Sequence, residues 1–196
     1  MSSICALGID IGGTYTKVAL VSVDGSILRQ ESIHTGSHGD PILFLDCLKE
    51  TIQTFLPSIP SGIGISLPGF LTDDGRSIVY NPNTPALVGI DFVEWLSVFG
   101  LPVQTEQDLN SPALAEYYLG SGMGSHRFIA AAIGTGVGVG AILNGEVVRF
   151  TGYTTGDSGH IILATIAPET IASRVVAGKG HTEPDIDLKE TNDSDR

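Results

Sequence analysis

The sequence GIDIGGTYTKVAL, residues 8–20, contains two apolar β-like segments that are separated by a glycine turn. Asp10 lies between two isoleucines, and Gly12, Gly13 and Thr14 follow it closely. Backbone amides that carry no Cβ can form a concave cluster of N–H groups that binds an anion. A hairpin with an ordinary solvated aspartate explains the same residues. The stretch alone therefore leaves two interpretations open, a plain β-hairpin and a phosphate-binding turn.

A second glycine turn of similar design occurs later in the chain, at Gly134, Thr135 and Gly136, again between two apolar segments. Neither turn is a Walker A or GxGxxG motif, because neither leads into a helix and no Gly-Lys-Ser/Thr follows. Two such turns in one chain favour phosphate binding over two unrelated hairpins. Asp10 could then hold a metal–nucleotide complex through water, and Lys17 could contact a phosphate as a point charge. An exposed strand lysine is the alternative for Lys17.

Asp108 lies between a predicted strand end and a predicted helix that begins at Ser111 and ends near Gly120. The positive end of a helix stabilises a carboxylate there, and an ionised aspartate could accept a hydroxyl proton as a general base. A simple helix-initiating aspartate fits the local sequence equally well. Asp157 and His160 form a further candidate pair that could hydrogen-bond sugar hydroxyls, because too few other ligands lie nearby for a metal site.

The chain has 196 residues, a formal net charge of −12, 42% hydrophobic residues and two cysteines. This acidity argues against nucleic acid or an anionic membrane as a partner, because phosphate groups require a basic face. Cys5 and Cys47 form no disulfide framework, which predicts a reducing compartment. The apolar run 128–143 is too short and too glycine-rich to span a membrane. No targeting segment is recognised, and we expect a cytoplasmic protein.

Alternation and turn signals predict an antiparallel meander of three strands, at 4–11, 15–23 and 26–34. Asp40 and Pro41 predict the start of the first helix, and Asp91 with Glu94 predicts a capping box for the second. Residues 70–90 are predicted as a loop. Further strands are predicted at 62–66, 101–105, 127–133, 137–143 and 146–150. This order of elements predicts a mixed sheet in an α/β domain.

Five segments, which follow one another along the chain in the order typical of the family, resemble the motifs of the ROK family (repressors, open reading frames and sugar kinases). GIDIGGTYTKVAL and IGTGVGVGAILNGEVV resemble the two phosphate motifs, and GIGISLPGFL resembles the sugar-side loop. FGLPVQTEQDLNSPALAE resembles the strand and helix that hold the catalytic aspartate, and GDSGH resembles the Gly-Glu-x-Gly-His motif. The resemblance runs from Ile4 to Gly178. It implies an actin-like ATPase (ribonuclease H-like) α/β domain with a mixed β-sheet flanked by helices.

The resemblance implies ATP-dependent phosphorylation of a hexose or N-acetylhexosamine, with Mg²⁺ bound near Asp10 together with the ATP. Asp108 is the implied general base that takes the proton of the attacking sugar hydroxyl. The implied phosphate contacts belong to the two glycine turns and their surroundings: Asp10, Gly12, Gly13, Thr14, Lys17, Gly134, Thr135 and Gly136. The implied sugar contacts lie on several loops: Gly69, Asn83, Gln107, Asp108, Gly136, Asp157, His160 and Glu169.

The sequence also departs from the family pattern. Gln107 stands where an asparagine usually precedes the catalytic aspartate, and Asp157 stands where a glutamate is usual. Both changes keep the chemical group but move its hydrogen-bonding atom, and a displacement of about 1 Å can cost roughly a hundredfold in rate. No cysteine follows Cys47. The zinc-binding loop that usually follows the position of His160 is therefore missing, and we predict no structural zinc.

The resemblance further implies two lobes. Residues 1–110 correspond to the N-terminal lobe, 111–178 to an incomplete start of the second lobe, and 179–196 to a polar tail that is expected to be disordered. Because the part that holds adenosine is missing, a catalytically weak or inactive sugar-binding or sensing protein is the alternative to a kinase. No helix-turn-helix precedes the first motif, so DNA binding is not expected. A homodimer is compatible with the sequence.

Overall fold

The computed structural model describes residues 4–36, 39–58, 60–133 and 137–149. The strands of this part of the chain are β1 (Cys5–Ile11), β2 (Tyr15–Ser22), β3 (Ile27–His34), β4 (Ile63–Leu67), β5 (Phe70–Leu71), β6 (Ile78–Tyr80), β7 (Val103–Gln107), β8 (Arg127–Ile133), β9 (Val137–Leu143) and β10 (Glu146–Val147). Its α-helices are α1 (Pro41–Phe55), α2 (Phe92–Leu96) and α3 (Asn110–Leu119). None of these helices has both the length and the apolar composition that crossing a bilayer requires.

The larger sheet has five strands in the order β3-β2-β1-β4-β7. β1, β2 and β3 pair as the predicted antiparallel meander, while β4 pairs parallel to β1, and β7 parallel to β4. This confirms the predicted mixed sheet. Because parallel strands end at the same edge of a sheet, the segments after β1, β4 and β7 come together at one edge.

One face of this sheet forms the hydrophobic core with α1. Alternate residues of β1 and β4 are buried on that face, and α1 covers them with an apolar stripe that includes Leu48, Ile52 and Phe55. The predicted start of α1 is confirmed, since Asp40 Oδ1 accepts the amide of Ile42 at 2.8 Å. The other face carries Gly8 and Asp10 from β1 and Gly64 and Ser66 from β4, and it lines an open groove of about 510 Å³.

The prediction of a loop over 70–90 is wrong in part, because this segment contains the antiparallel pair β5 and β6. Leu71 and Ile78 hold the pair in the core, where they are 1% and 0% exposed. The second helix, for which the sequence predicts residues 92–99, is also shorter than predicted. It begins as expected at the N-cap Asp91, whose Oδ1 accepts the amide of Glu94 at 2.8 Å, but it ends at Leu96 and continues only as a 3₁₀ turn.

The smaller sheet, with the order β10-β9-β8, packs against α3 through two glycines of β9. A Cβ at Gly138 would lie 2.1 Å from Leu109 Cδ2, and one at Gly140 would lie 2.6 Å from Ala113 Cβ. A side chain at Gly140 would displace the start of the helix, because the carbonyl oxygen of Leu109 also lies 2.7 Å from that Cβ, whereas one at Gly138 would require the Leu109 side chain to move. Gly138 and Gly140 therefore allow the start of α3 to lie close to the smaller sheet.

Candidate functional site

The candidate site lies at the edge of the larger sheet where β1, β4 and β7 end. The glycine turn 12–14 follows β1, Gly69 follows β4 after one proline, and Asp108 follows β7 directly. The amide of Asp108 donates a hydrogen bond of 2.9 Å to the carbonyl of Leu67. This bond fixes the position of Asp108 beside the end of β4, the strand that lies between β7 and β1 in the sheet.

The loop after β6 lies next to the glycine turn. A Cβ at Gly13 would lie 3.5 Å from Asn83 Cβ, so Asn83 is a direct neighbour of the turn. Asn81 is buried, and its Oδ1 accepts the amide of Asn83 at 2.9 Å, which fixes the loop conformation. The structure thus brings a predicted sugar contact next to a predicted phosphate contact.

Gln107, the last residue of β7, is buried at the site, with only 4% of its surface exposed. Its Nε2 donates a hydrogen bond of 3.0 Å to the carbonyl of Gly69, and because a carbonyl can only accept, this bond fixes the amide orientation. Its Oε1 is buried and accepts no hydrogen bond from the described residues. A buried acceptor without a partner is costly, so this oxygen is a candidate acceptor for a ligand hydroxyl.

The carboxyl group of Asp108 is half-buried and has an unusual proton affinity. Burial, followed by the negative charge of Asp10, raises the pKa of Asp108 from 3.8 to about 6, against the opposing backbone amides of Leu109 and Asp108. As expected, the amides at the helix start favour the charged form, but burial and the charge of Asp10 outweigh them and the pKa rises. A pKa just below neutral suits a general base, since the group is ionised at pH 7 and still binds a proton readily.

Asp10 and Lys17 lie directly opposite each other in the β1–β2 ladder, and both line the open groove. Both side chains are exposed, so the positive charge of Lys17 lies next to the carboxylate of Asp10, just before the glycine turn. Six other predicted contacts lie outside the described residues, namely Gly134, Thr135, Gly136, Asp157, His160 and Glu169. The roles of these six residues stay predictions.

Sequence reasoning missed the role of Glu106, which lies one residue before Gln107. Glu106 Oε1 accepts hydrogen bonds of 3.0 Å from the amide of Gln107 and from Asn110 Nδ2. Its second carboxylate oxygen forms an ion pair with Arg149, just after β10. Glu106 thus connects the strand before Asp108 to the helix after it and to the smaller sheet. No local pattern signals this contact, because Glu106 lies in a strand and Asn110 begins a helix, so the i, i+4 rule for helices does not apply.

Replacement of Asp10 by asparagine is expected to lower the pKa of Asp108, because the like charge that opposes its ionisation is removed. The pKa should stay above 3.8, since burial is the larger cause and remains. An NMR titration of the Asp108 carboxyl carbon measures this directly, with Asp73→Asn on the exposed β5–β6 turn as the control. An unchanged Asp108 pKa in the Asp10→Asn variant would contradict the coupling of the two carboxyl groups.

The sheet order, the glycine turn after β1 and the acid after β7 define an actin-like ATPase domain. Solved structures of this fold superpose well on the chain. Residues 6–177 match the ROK family, and the chain belongs to this family.

Two solved structures illustrate the likeness. The ROK family glucokinase from Streptomyces griseus, solved in complex with glucose and AMPPNP, superposes with a TM-score of 0.71 and 26% identity, over 82% of this chain and 51% of that chain. The ROK hexokinase from Thermus thermophilus superposes with a TM-score of 0.70 and 27% identity, over 82% of this chain and 54% of that chain.

The curated relatives include both enzymes and repressors. The β-glucoside kinase of Listeria monocytogenes is 35% identical over 156 residues, which cover 78% of this chain and 51% of that protein. The xylose repressor of Bacillus spizizenii is 30% identical over 171 residues, which cover 84% of this chain and 44% of that protein. The chain spans about half the length of the curated relatives that it matches.

Proposed function

We propose that this chain is an ATP-dependent sugar kinase that phosphorylates a hexose or N-acetylhexosamine, with Asp108 as the general base. The observation that carries the proposal is Asp108, a half-buried acid with a pKa of about 6 that directly follows the buried Gln107 and senses the charge of Asp10, just before the glycine turn. An acceptor for a proton therefore lies near residues of both a candidate phosphate site and a candidate sugar site. The names of the relatives, which include glucokinases and β-glucoside kinases, support the same reaction class.

In the proposed reaction, a sugar hydroxyl attacks the terminal phosphorus of ATP, and Asp108 accepts the hydroxyl proton. A bond forms between the sugar oxygen and phosphorus, the bond between phosphorus and the bridging oxygen breaks, and ADP leaves. Gln107 Oε1 and the side chain of Asn83 would hold other sugar hydroxyls. Such sites accelerate phosphoryl transfer mainly through positioning and charge stabilisation.

The residues around the turn fit the phosphate end of this reaction. Asp10 offers carboxylate oxygens, which Mg²⁺ prefers as ligands, and Lys17 offers a positive charge for a phosphate. Bound Mg²⁺ would neutralise charge on the phosphates. The proposal extends to the second glycine turn as a phosphate contact, and to Asp157, His160 and Glu169 as sugar contacts. It also includes a cytoplasmic location, in keeping with the free thiols of Cys5 and Cys47.

A second candidate function is sugar binding without turnover. It is favoured by the xylose repressors among the relatives of the chain. In that case Gln107 and Asn83 would bind a sugar, and the phosphate side would be inactive or would hold a phosphate group without transferring it.

A coupled assay of ADP release over a panel of hexoses and N-acetylhexosamines tests the proposal, together with thermal shifts measured with the same sugars. We expect at least one sugar to support turnover and to raise the melting temperature. A sugar that stabilises the chain without turnover would overturn the kinase proposal and leave the binding function. Absence of both effects for the whole panel would contradict both functions.

Two glutamines of β7 provide matched variants for this experiment. Gln107→Met removes the buried amide, and we expect about a tenfold weaker sugar affinity from the loss of one to two hydrogen bonds. Gln104→Met changes an exposed glutamine of the same strand and should leave sugar affinity unchanged. Equal effects of the two substitutions would remove Gln107 from the proposed sugar site.

A further inference from the structure

Two threonines are completely buried beneath the glycine turn. Thr16 in β2 is 0% exposed and Thr35, just after β3, is 1% exposed. Their Oγ1 atoms lie 3.0 Å apart, and Thr35 Oγ1 donates a hydrogen bond of 2.7 Å to the carbonyl of Gly12. Neither hydroxyl has a role in the proposed reaction, yet the neighbouring buried positions of β2, Val18 and Leu20, are apolar.

The number of protons that each group can donate shows which of the two hydroxyls is the donor. A carbonyl can only accept, so the single proton of the Thr35 hydroxyl is used in the bond to Gly12. The proton between the two hydroxyls must then come from Thr16. The hydrogen bonds form a chain in which Thr16 donates to Thr35, and Thr35 donates to the turn.

Backbone bonds complete the attachment of the turn. The amide of Thr35 donates to the carbonyl of Thr14 at 2.9 Å, and the amide of Gly12 donates to the carbonyl of Tyr15 at 3.1 Å. Thr35 therefore donates hydrogen bonds to two carbonyls of the turn, those of Gly12 and Thr14, and these carbonyls face the buried threonines. In a trans peptide the C=O and N–H groups point in opposite directions. The amides of Gly13 and Tyr15 consequently point away from the buried threonines.

This arrangement matters because a Gly-Gly pair is free to reverse its peptide plane. Glycine populates positive and negative φ about equally, so the peptide between Gly12 and Gly13 could rotate at low cost. Rotation would direct a carbonyl oxygen, in place of an amide, at any anion bound outside the turn. The hydroxyl of Thr35 opposes the rotation, because rotation would leave that hydroxyl buried without its acceptor.

We propose that Thr35 is a positioning residue, which keeps the amides of the glycine turn oriented toward a bound phosphate, and that Thr16 supports it. The part of this inference that concerns phosphate rests on the proposed function. The part that concerns the orientation of the turn rests only on the contacts of Thr35 and Thr16.

Hydrogen exchange at single amides tests the orientation. Thr35→Val keeps the shape of the side chain but removes the hydroxyl, and the amides of Gly12 and Thr35 should then exchange about tenfold faster, since one net hydrogen bond is lost. Thr35→Ser restores the hydroxyl and should restore slow exchange. Thr51→Val is the matched control, because Thr51 is also buried and donates to a carbonyl, that of Cys47, away from the turn. Equal exchange at Gly12 in the Thr35→Val and Thr51→Val variants would overturn the inference.

Calorimetric titration with inorganic tripolyphosphate in the presence of Mg²⁺ tests the link to phosphate. We expect Thr35→Val to weaken tripolyphosphate binding about tenfold, and Thr35→Ser to bind like the parent chain. The thermal shift caused by sugar should stay unchanged in both variants. Binding by Thr35→Val as tight as that of the parent would overturn the positioning role. A parent chain that binds no tripolyphosphate would contradict the proposed function, while the exchange rates would still decide the role of Thr35 in the turn.

Discussion

Asp108→Asn is expected to reduce sugar-dependent ADP release by about 10²–10⁴-fold, the usual contribution of a general base. Asparagine has nearly the same size but cannot accept the hydroxyl proton. The contact that places this residue, the amide of Asp108 bonded to the carbonyl of Leu67, uses only the backbone and survives the substitution. Sugar binding should therefore persist, and the sugar-dependent rise in melting temperature should stay close to that of the parent chain.

The pH dependence of turnover gives a second readout of the same residue. The base is active when ionised, so turnover should fall about tenfold per pH unit below the Asp108 pKa of about 6 and level off above it. Asp73→Asn, on an exposed turn, is the control and should keep the parent rate and profile. An Asp108→Asn variant that retained a tenth or more of the parent rate would exclude Asp108 as the base.

Gly69→Ala is expected to destabilise the chain by about 2–4 kcal/mol, the sum of a strained backbone and an overpacked contact. Gly69 has a φ of 81°, which side-chain-bearing residues rarely adopt. A Cβ there would lie 2.3 Å from the carbonyl oxygen of Tyr80 and 2.7 Å from Asn81 Cβ. Relief of this clash requires a shift of the loop that accepts the hydrogen bond of Gln107, so sugar affinity should fall as well.

Urea denaturation measures the stability effect, and Gly64→Ala is its matched control. Gly64 lies in β4, and no described atom would come within 4 Å of a Cβ there. Its replacement by alanine should change stability by less than about 1 kcal/mol, because alanine fits open space in a strand. Similar losses for the two variants would show that the backbone contact at Gly69 does not control stability.

Local sequence signals were sufficient for most of the larger sheet. Period-two alternation predicted β1, β2 and β3, and the cap residues Asp40 and Asp91 located the starts of two helices. β5 and β6 were missed because they have two and three residues, too few for a period to be recognised. They exist because Leu71 and Ile78 fill the core, a tertiary effect that no local pattern contains.

The sequence predicted those site residues that directly follow a strand. It could not predict properties that depend on contacts between residues distant in the sequence. The glycine turn and Asp108 could be named because each directly follows a strand. The raised pKa of Asp108 could not, since it depends on burial and on Asp10, which is nearly a hundred residues away in sequence. The bond between Thr16 and Thr35 depends in the same way on how the start of β2 pairs with the end of β3, which the sequence alone does not specify.

The buried acid at position 108 also has a thermodynamic consequence for the whole chain. Its pKa is higher in the folded state than the ordinary 3.8, so the folded chain binds this proton more tightly than the unfolded chain. Stability from this group is fully present below pH 3.8 and is lost as the pH rises through about 6, a change of about 3 kcal/mol. At neutral pH the chain thus keeps a carboxylate that weakens its own fold. Asp108→Asn should melt at a higher temperature than the parent, so a loss of turnover in that variant could not be ascribed to unfolding.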